Sequence, residues 1–277
     1  MRVEIPDGVT NIGNGVFCDC ASLTSIVIPD GVTSIGNAAF RECTSLTSIE
    51  IPSGVTSIDR DAFYHCTSLT SITIPDGVTN ISVCLCSDCE NLASITIGES
   101  VESIGASAFL GCTSLTSIEI PDSVTSIGKN AFRDCSGLTS ITIPSGAMSI
   151  GDNAFEGCTS LETATIPALA ISYIPQTSLK NVVITSGESI SDEAFYCCAS
   201  LTNIVISDSV TTIGRDAFYR CLNLASVEIG NGVTSIGNSA FNRCENLTSV
   251  EIPNSVTSIG DSAFSGCTRL SSVTLGN

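Results

Sequence analysis

Apolar residues recur along this chain at short, alternating intervals that are cut by turn residues at regular places. In the segment Leu23-Thr24-Ser25-Ile26-Val27-Ile28 the aliphatics Ile26 and Ile28 stand two apart, the period of a short strand with one buried face. Pro29-Asp30-Gly31 then stops the strand, since proline fixes φ while Asp and Gly tolerate turn geometry. Val32 and Ile35 bring two apolar side chains back toward a core, and Gly36 permits a further bend. Ala39, Phe40 and Cys43 follow at the spacing of one helical turn. One unit, LTSIVIPDGVTSIGNAAFREC, is therefore predicted to run strand, turn, short strand, bend, short helix.

The unit repeats. Phe17, Phe40 and Phe63 are 23 residues apart, Cys86 takes the next slot, Phe109, Phe132 and Phe155 keep the spacing, and it resumes at Phe195, Phe218, Phe241 and Phe264. All ten phenylalanines fall in this register. A cysteine stands three residues after each marker, from Cys20 and Cys43 to Cys267, and a leucine six after it, from Leu23 to Leu270. A single unit cannot bury its apolar side, whereas stacked copies bury it against each other, so a solenoid with equivalent residues in ladders is expected. At ~4.8 Å between strands, a dozen units give a sheet roughly 55–60 Å long.

Two places depart from the pattern. The leucine spacing shrinks to 18 between Leu161 and Leu179, where ALAISYIPQTS (168–178) replaces the A-F-x-x-C segment. The expected organisation is one solenoid of about 12 repeats over residues 1–277, with regular blocks 1–166 and 179–277 joined by a shortened unit, 167–178. Tyr173 and Lys180 are candidate partner contacts at a recess or hinge there. The second departure is SVCLCSDC (82–89), where Ser82 stands for glycine and Cys86 for phenylalanine, and smaller side chains predict a softer place in the core.

The pattern I-P-x-x-V-T-x-I-G-x-x-A-F-x-x-C-x-x-L-T-S-I, matched closely from Ile28 to Ile49 and from Ile120 to Ile141, resembles the BspA-like leucine-rich repeats. The resemblance covers nearly the whole chain. It implies an α/β repeat fold, a right-handed leucine-rich-repeat solenoid with a parallel β-sheet on one face and short strands, turns and short helices on the other. It also implies adhesion or attachment at a cell surface or after secretion, with an extracellular-matrix or host surface protein as partner.

Charge narrows the partners. With 28 carboxylates against ten Lys and Arg the formal charge is −18, which repels nucleic acid and anionic membrane surfaces at long range. No stretch approaches the ~20 apolar residues that span a bilayer, and the opening MRVEIPDGVT lacks the layout of a secretory signal.

Candidate chemistry is sparse. Eleven of the fifteen cysteines occupy the slot beside the Phe marker, where a small residue packs as a hydrophobe; the others are Cys18, Cys84, Cys86 and Cys197. Cys84, Cys86 and Cys89 imitate a thiolate metal site but lack a fourth ligand. His65, the one histidine, has no orienting partner for nucleophilic catalysis, and aspartates such as Asp30 and Asp76 are explained by their turns. Neither an enzyme nor a cofactor is expected.

The residue between each strand's two aliphatics should point outward. This places Glu50, Thr73, Thr96, Glu119, Thr142, Glu228 and Glu251 on one face, beside a row of Ser and Asn, and makes them the candidate protein-binding residues. The strip lacks the Trp, Tyr and Arg that anchor most interfaces, so each contact is expected to be weak and binding multivalent. The alternative is a structural spacer, or a scaffold that associates end to end through uncapped strands, without a ligand of its own.

Overall fold

A computed structural model describes residues 1–276; Asn277, the last residue of the expected second block, lies outside them. The chain divides into two compact units, Met1–Ser160 and Leu161–Asn277, and the shortened repeat belongs to the second.

Both units are parallel β-solenoids, about twelve turns in all. In the first, strands at Arg2–Glu4, Ser25–Val27, Ser48–Ile49, Ser71–Ile74, Ser94–Ile97, Ser117–Glu119 and Ser140–Thr142 form one series. Residues 23 apart pair, as in Ile26 with Ile49 and Ile118 with Ile141. A second series of two-residue strands, from Asn11–Ile12 and Ser34–Ile35 to Ser149–Ile150, keeps the same offset, Ile104 pairing with Ile127. Between the two series the predicted turn forms, closed by Val32 N–H donating to the Pro29 carbonyl at 3.0 Å.

The second unit repeats this plan with strands at Thr163–Ile166, Asn181–Ile184, Asn203–Ile206, Ser226–Glu228, Ser249–Ile252 and Ser272–Leu275. Its shortened repeat stays in register on the strand side, Thr163 pairing with Asn181 and Ile166 with Ile184. On the other side it forms a 3-10 helix, Ala168–Tyr173, the one helix among the described residues.

The expected short helices at A-F-x-x-C are corrected: these segments are successive tight turns. A helix would pair successive N–H groups beyond its first turn within the segment. Here alternate groups do so. Ala39, Arg41 and Cys43 donate to the carbonyls of Gly36, Ala38 and Phe40, while Ala38, Phe40 and Glu42 donate to Arg60, Ala62 and Tyr64 of the following rung. The alternation requires left-handed residues two before and two after the Phe marker, for example Ala38 at φ 53° and Glu42 at φ 57°. The turns are thus a third rung-to-rung ladder.

The core lies between these ladders. Leu46, Val55, Ala62, Phe63 and Cys66 are fully buried, as are most of their counterparts in the interior rungs, while Phe17 and Phe264 in the end rungs are half-buried. Phe40 and Phe63 stack at 5.4 Å with ring planes 2° apart, Phe132 and Phe155 at 5.3 Å, and Phe218 and Phe241 at 5.0 Å. The cysteine beside each marker does more than fill space: Cys66 Sγ donates to the Phe40 carbonyl at 3.1 Å, and Cys135 Sγ to that of Phe109 at 3.2 Å. A small apolar side chain with one weak donor suits that slot.

At the second departure the neighbour compensates. Leu85 occupies the slot that is alanine in adjacent rungs, and Leu85 and Cys86 are both buried, so volume lost by Phe is returned one position earlier. Ser82 is accommodated as well: its hydroxyl donates to the Ile58 carbonyl at 2.6 Å. Gly105, one rung on, has no such room, because a Cβ there would meet the Ile81 oxygen at 2.7 Å.

Candidate protein-binding surface

The S-I-x-I strands fix which side chains face solvent. In Ser71–Ile74 and Ser94–Ile97 the isoleucines are buried while Ser71, Thr73, Ser94 and Thr96 are exposed. Glu50, Glu119 and Thr142 are exposed at the same position of their rungs. The first unit therefore displays Glu50, Thr73, Thr96, Glu119 and Thr142 as one outward row, with pairing that holds Thr73 beside Thr96 and Glu119 beside Thr142. Among the described residues, none of Glu50, Glu119, Glu228 and Glu251 forms an ion pair.

A depression of about 300 Å³ sits within this row, lined by Thr96, Glu119 and Thr142 over Ile97 and Ile120, with Glu99 and Asp122 beside them. The threonines just before each strand have a different task. Thr70 Oγ1 donates to the Thr47 carbonyl at 3.2 Å and Thr139 Oγ1 to that of Thr116 at 3.0 Å, so those hydroxyls knit rungs together.

In the second unit Glu228 and Glu251 are exposed, whereas Thr165, Val183 and Val205 in the same row are half-buried. Val183 pairs with Val205, and Val205 with Glu228, so a small apolar patch adjoins a carboxylate. Lys180 is exposed and bonded to Glu162 at 2.7 Å. Tyr173 ends the 3-10 helix half-buried. The recess of this unit, about 330 Å³, is lined instead by Leu169, Ile171, Gln176, Asp192 and Ala194 among others. Gln176 escaped the sequence reading. Its amide donates to the carbonyls of Ala194 at 2.8 Å and Ile171 at 3.2 Å, and its oxygen accepts from Cys198 Sγ at 3.0 Å. The available signal was the absence of a phenylalanine whose carbonyl Cys198 could use.

The remaining candidates resolve into structural roles. Asp76 and Asp208 side chains accept N–H groups of Glu99 and Asn231 in the next rung. Arg133 reaches Asp134 and Glu156 at 3.5 and 3.4 Å, and Arg41 lies 4.6 Å from the ring centre of Tyr64. His65 is half-buried beside Tyr64. Burial raises the Cys84 thiol and, more strongly, Cys86. Among the described residues no cluster of metal-ligating side chains forms, and no helix is long and apolar enough to cross a membrane.

No curated protein matches the sequence. Among solved structures the chain is similar to a leucine-rich repeat protein from Bacteroides ovatus, with 32% identity, a TM-score of 0.61, and coverage of 98% of this chain and 78% of that one. It is also similar to a leucine rich cell surface protein from Faecalibacterium prausnitzii, with 31% identity, a TM-score of 0.49, and coverage of 100% and 88%. The family model described as a BspA type leucine rich repeat region, in 6 copies, matches residues 1–116, 102–186 and 188–277. The 23-residue register, its stacked phenylalanines and this match agree, and the chain belongs to the BspA-type leucine-rich repeat family.

Proposed function

We propose that this chain is a non-enzymatic binding module of a cell-surface or secreted protein, engaging a host or neighbouring-cell protein through the outward faces of its strands. The observation that carries this reading is the exposed row Glu50, Thr73, Thr96, Glu119 and Thr142, whose carboxylates form no ion pair among the described residues. Such a row favours a partner surface bearing Lys or Arg, and on a chain of charge −18 it steers that partner from a distance. Single exposed charge contacts contribute about 0–1 kcal/mol, so useful attachment comes from several at once.

The test is adhesion of the purified chain to immobilised extracellular-matrix and plasma proteins over a salt series. Replacing Glu50, Glu119, Glu228 and Glu251 together by Gln is expected to weaken attachment about tenfold or more at low salt and to flatten its salt dependence. Binding that survives this change, or that is insensitive to salt, would place the contact elsewhere. Failure to bind any protein would favour the spacer.

A further inference from the structure

One turn of the first unit carries thiols in both of its core slots. A regular turn packs its marker and the residue three later inward, Phe63 with Cys66 and Phe109 with Cys112, all fully buried. Cys86 is the one marker that is not Phe, so its turn sets Cys86 beside Cys89, both fully buried. The backbone folds the two together. Cys89 N–H donates to the Cys86 carbonyl at 3.3 Å, and Asp88 between them is left-handed at φ 60°. Such a turn brings the Cα atoms of its first and last residues within about 7 Å, and a disulfide spans ~4.4–6.8 Å. The side chains meet as well: Cys89 Sγ donates to the Phe63 carbonyl at 3.1 Å and accepts from the Cys86 thiol. Other thiol neighbours are placed less well. Cys66, Cys89 and Cys112 each donate to a carbonyl of the preceding rung and so run parallel, one rung apart. That spacing is ~4.8 Å, whereas the Cβ atoms of a disulfide stand ~3.5–4.5 Å apart.

The same rung adjoins a break in the solenoid wall. The second strand series is continuous from Asn11–Ile12 to Ser57–Ile58 and again from Asn80–Ile81 to Ser149–Ile150, and it parts between Ser57–Ile58 and Asn80–Ile81. On either side of the parting an amide spans the step, Asp59 N–H donating to the Ile35 carbonyl at 2.9 Å and Gly105 N–H to that of Ile81 at 2.8 Å. At the parting the Ser82 hydroxyl reaches the Ile58 carbonyl. A cleft of about 470 Å³ lies there, lined by Asp59, Arg60, Ile81, Ser82 and Val83 among others. Val83 is exposed, and the chain runs from it straight into Cys84 and Cys86. The ring stack is interrupted at the same level, since a thiol separates Phe63 from Phe109. While the rung is closed, burial keeps Cys86 protonated, and exchange requires a thiolate. Opening at the parting removes that protection.

We propose that Cys86 and Cys89 are an oxidisable pair, bridged by exchange with a small disulfide such as oxidised glutathione when this rung opens. One cysteine, as thiolate, attacks the small disulfide, forms a mixed disulfide with one half of it and releases the other half as thiolate. The second cysteine then attacks the mixed disulfide, the Cys86–Cys89 bond forms, and the second half leaves. The two cysteine protons end on the two released thiols, and two electrons pass from the chain to the oxidant. The bridge draws Cys89 away from the Phe63 carbonyl and fastens both ends of the turn, so the surrounding redox state sets how readily the rung opens. The proposal does not rest on the strand face.

The test places the folded, reduced full chain in glutathione buffers of rising oxidised fraction, then quenches in acid, unfolds, alkylates and maps the thiols by mass spectrometry. Two thiols are expected to disappear together with circular dichroism unchanged, and tandem spectra should join Cys86 to Cys89. Glutathione adducts on more accessible thiols such as Cys18 and Cys197 are separated by their added mass. Leu85→Ala with Cys86→Phe, which restores the Ala and Phe of other rungs, should abolish the bridge, and Cys84→Ser should leave it. Ser82→Gly, which returns the usual residue to the parting, should slow bridging severalfold. The proposal is overturned if the folded chain loses no thiol pair, or loses it only as the circular dichroism collapses. It is overturned equally if Cys89 joins Cys66 or Cys112, if the bridge needs Cys84 or survives the double change, or if Ser82→Gly leaves the rate unchanged.

Discussion

Raising the pH probes the buried thiol row, because each of its cysteines ionises far more easily once unfolded. Burial pushes the Cys158 thiol from 9.0 to about 12. Burial, with neighbouring thiols adding to it, pushes Cys66, Cys135, Cys221 and Cys244 higher still. A group whose folded pKa is raised stabilises the fold fully below its unfolded pKa, here 9.0, and that contribution is lost as pH climbs toward the folded value of about 12. Between pH 8 and 10 only the unfolded thiol ionises, and each such cysteine loses about 1.4 kcal/mol of stability. For these five the loss is about 7 kcal/mol, comparable to the whole stability of many domains. Urea unfolding followed by circular dichroism at pH 8, 9 and 10, under reductant and without oxygen, should show midpoints falling steeply above pH 9. Changing the five cysteines to Ala lowers stability at neutral pH but removes about half of this slope, leaving the part due to Cys43, Cys86, Cys112 and Cys198. A midpoint that holds from pH 8 to 10, or an equal fall in the alanine variant, would refute the reasoning.

Two further outcomes separate the ladders. Phe132 is fully buried between Phe109 and Phe155, each ring centre 5.3 Å away, so Phe132→Ala should cost about 3–5 kcal/mol, whereas Phe17→Ala, half-buried with the single partner Phe40, should cost roughly half as much. Hydrogen exchange of neighbouring turn amides reads the difference, and equal costs would contradict the stacking account. Gln176→Leu removes the partners of the Ala194 and Ile171 carbonyls and of the Cys198 thiol, and should loosen the second unit by about 2–3 kcal/mol in the same experiment. Unchanged exchange there would mean that the amide merely fills space.

The repeat, its strands and the alternation of burial along strands such as Ser71–Ile74 were legible because they depend on period alone, whereas Ser272–Leu275 is exposed throughout. Ile72, Thr73 and Ile74 alternate in the structure as they do in the sequence. The turns were misread as helix because an i to i+3 bond such as Cys43 to Phe40 is common to both forms, while the bonds that distinguish them join residues of different rungs. A local signal did exist. The slots two before and two after each marker, Phe or the Cys86 that replaces it, are rich in Asp, Asn and Gly, as in Asp61, Asn130, Asp88, Asp134, Gly111 and Gly157, and all six are left-handed. Those residue types tolerate φ > 0, and their recurrence at fixed offsets excludes a regular helix. Gln176 and Leu85 were missed for a related reason: each compensates for something absent nearby, and compensation is visible only after the slot it fills has been located.

That logic bears on where a repeat protein of this kind can recognise anything specific. A regular rung spends its polar backbone groups on its neighbours and repeats its outward side chains almost unchanged, so the strand face offers many similar weak contacts and little discrimination. A shortened rung cannot match its neighbour group for group. In the second unit one substitute side chain, Gln176, meets the Ala194 carbonyl and the Cys198 thiol that a regular turn would have served. Groups left over by a deletion have a fixed spacing and chemistry, which gives a partner something to match that no regular rung provides. The acidic strand face can then supply attraction and number, while the irregular edge supplies selectivity. If so, removing the strand-face carboxylates should weaken all cationic partners together, whereas Gln176→Leu, which alters the irregular edge, should change the ranking among partners; an unchanged ranking would contradict the division of labour.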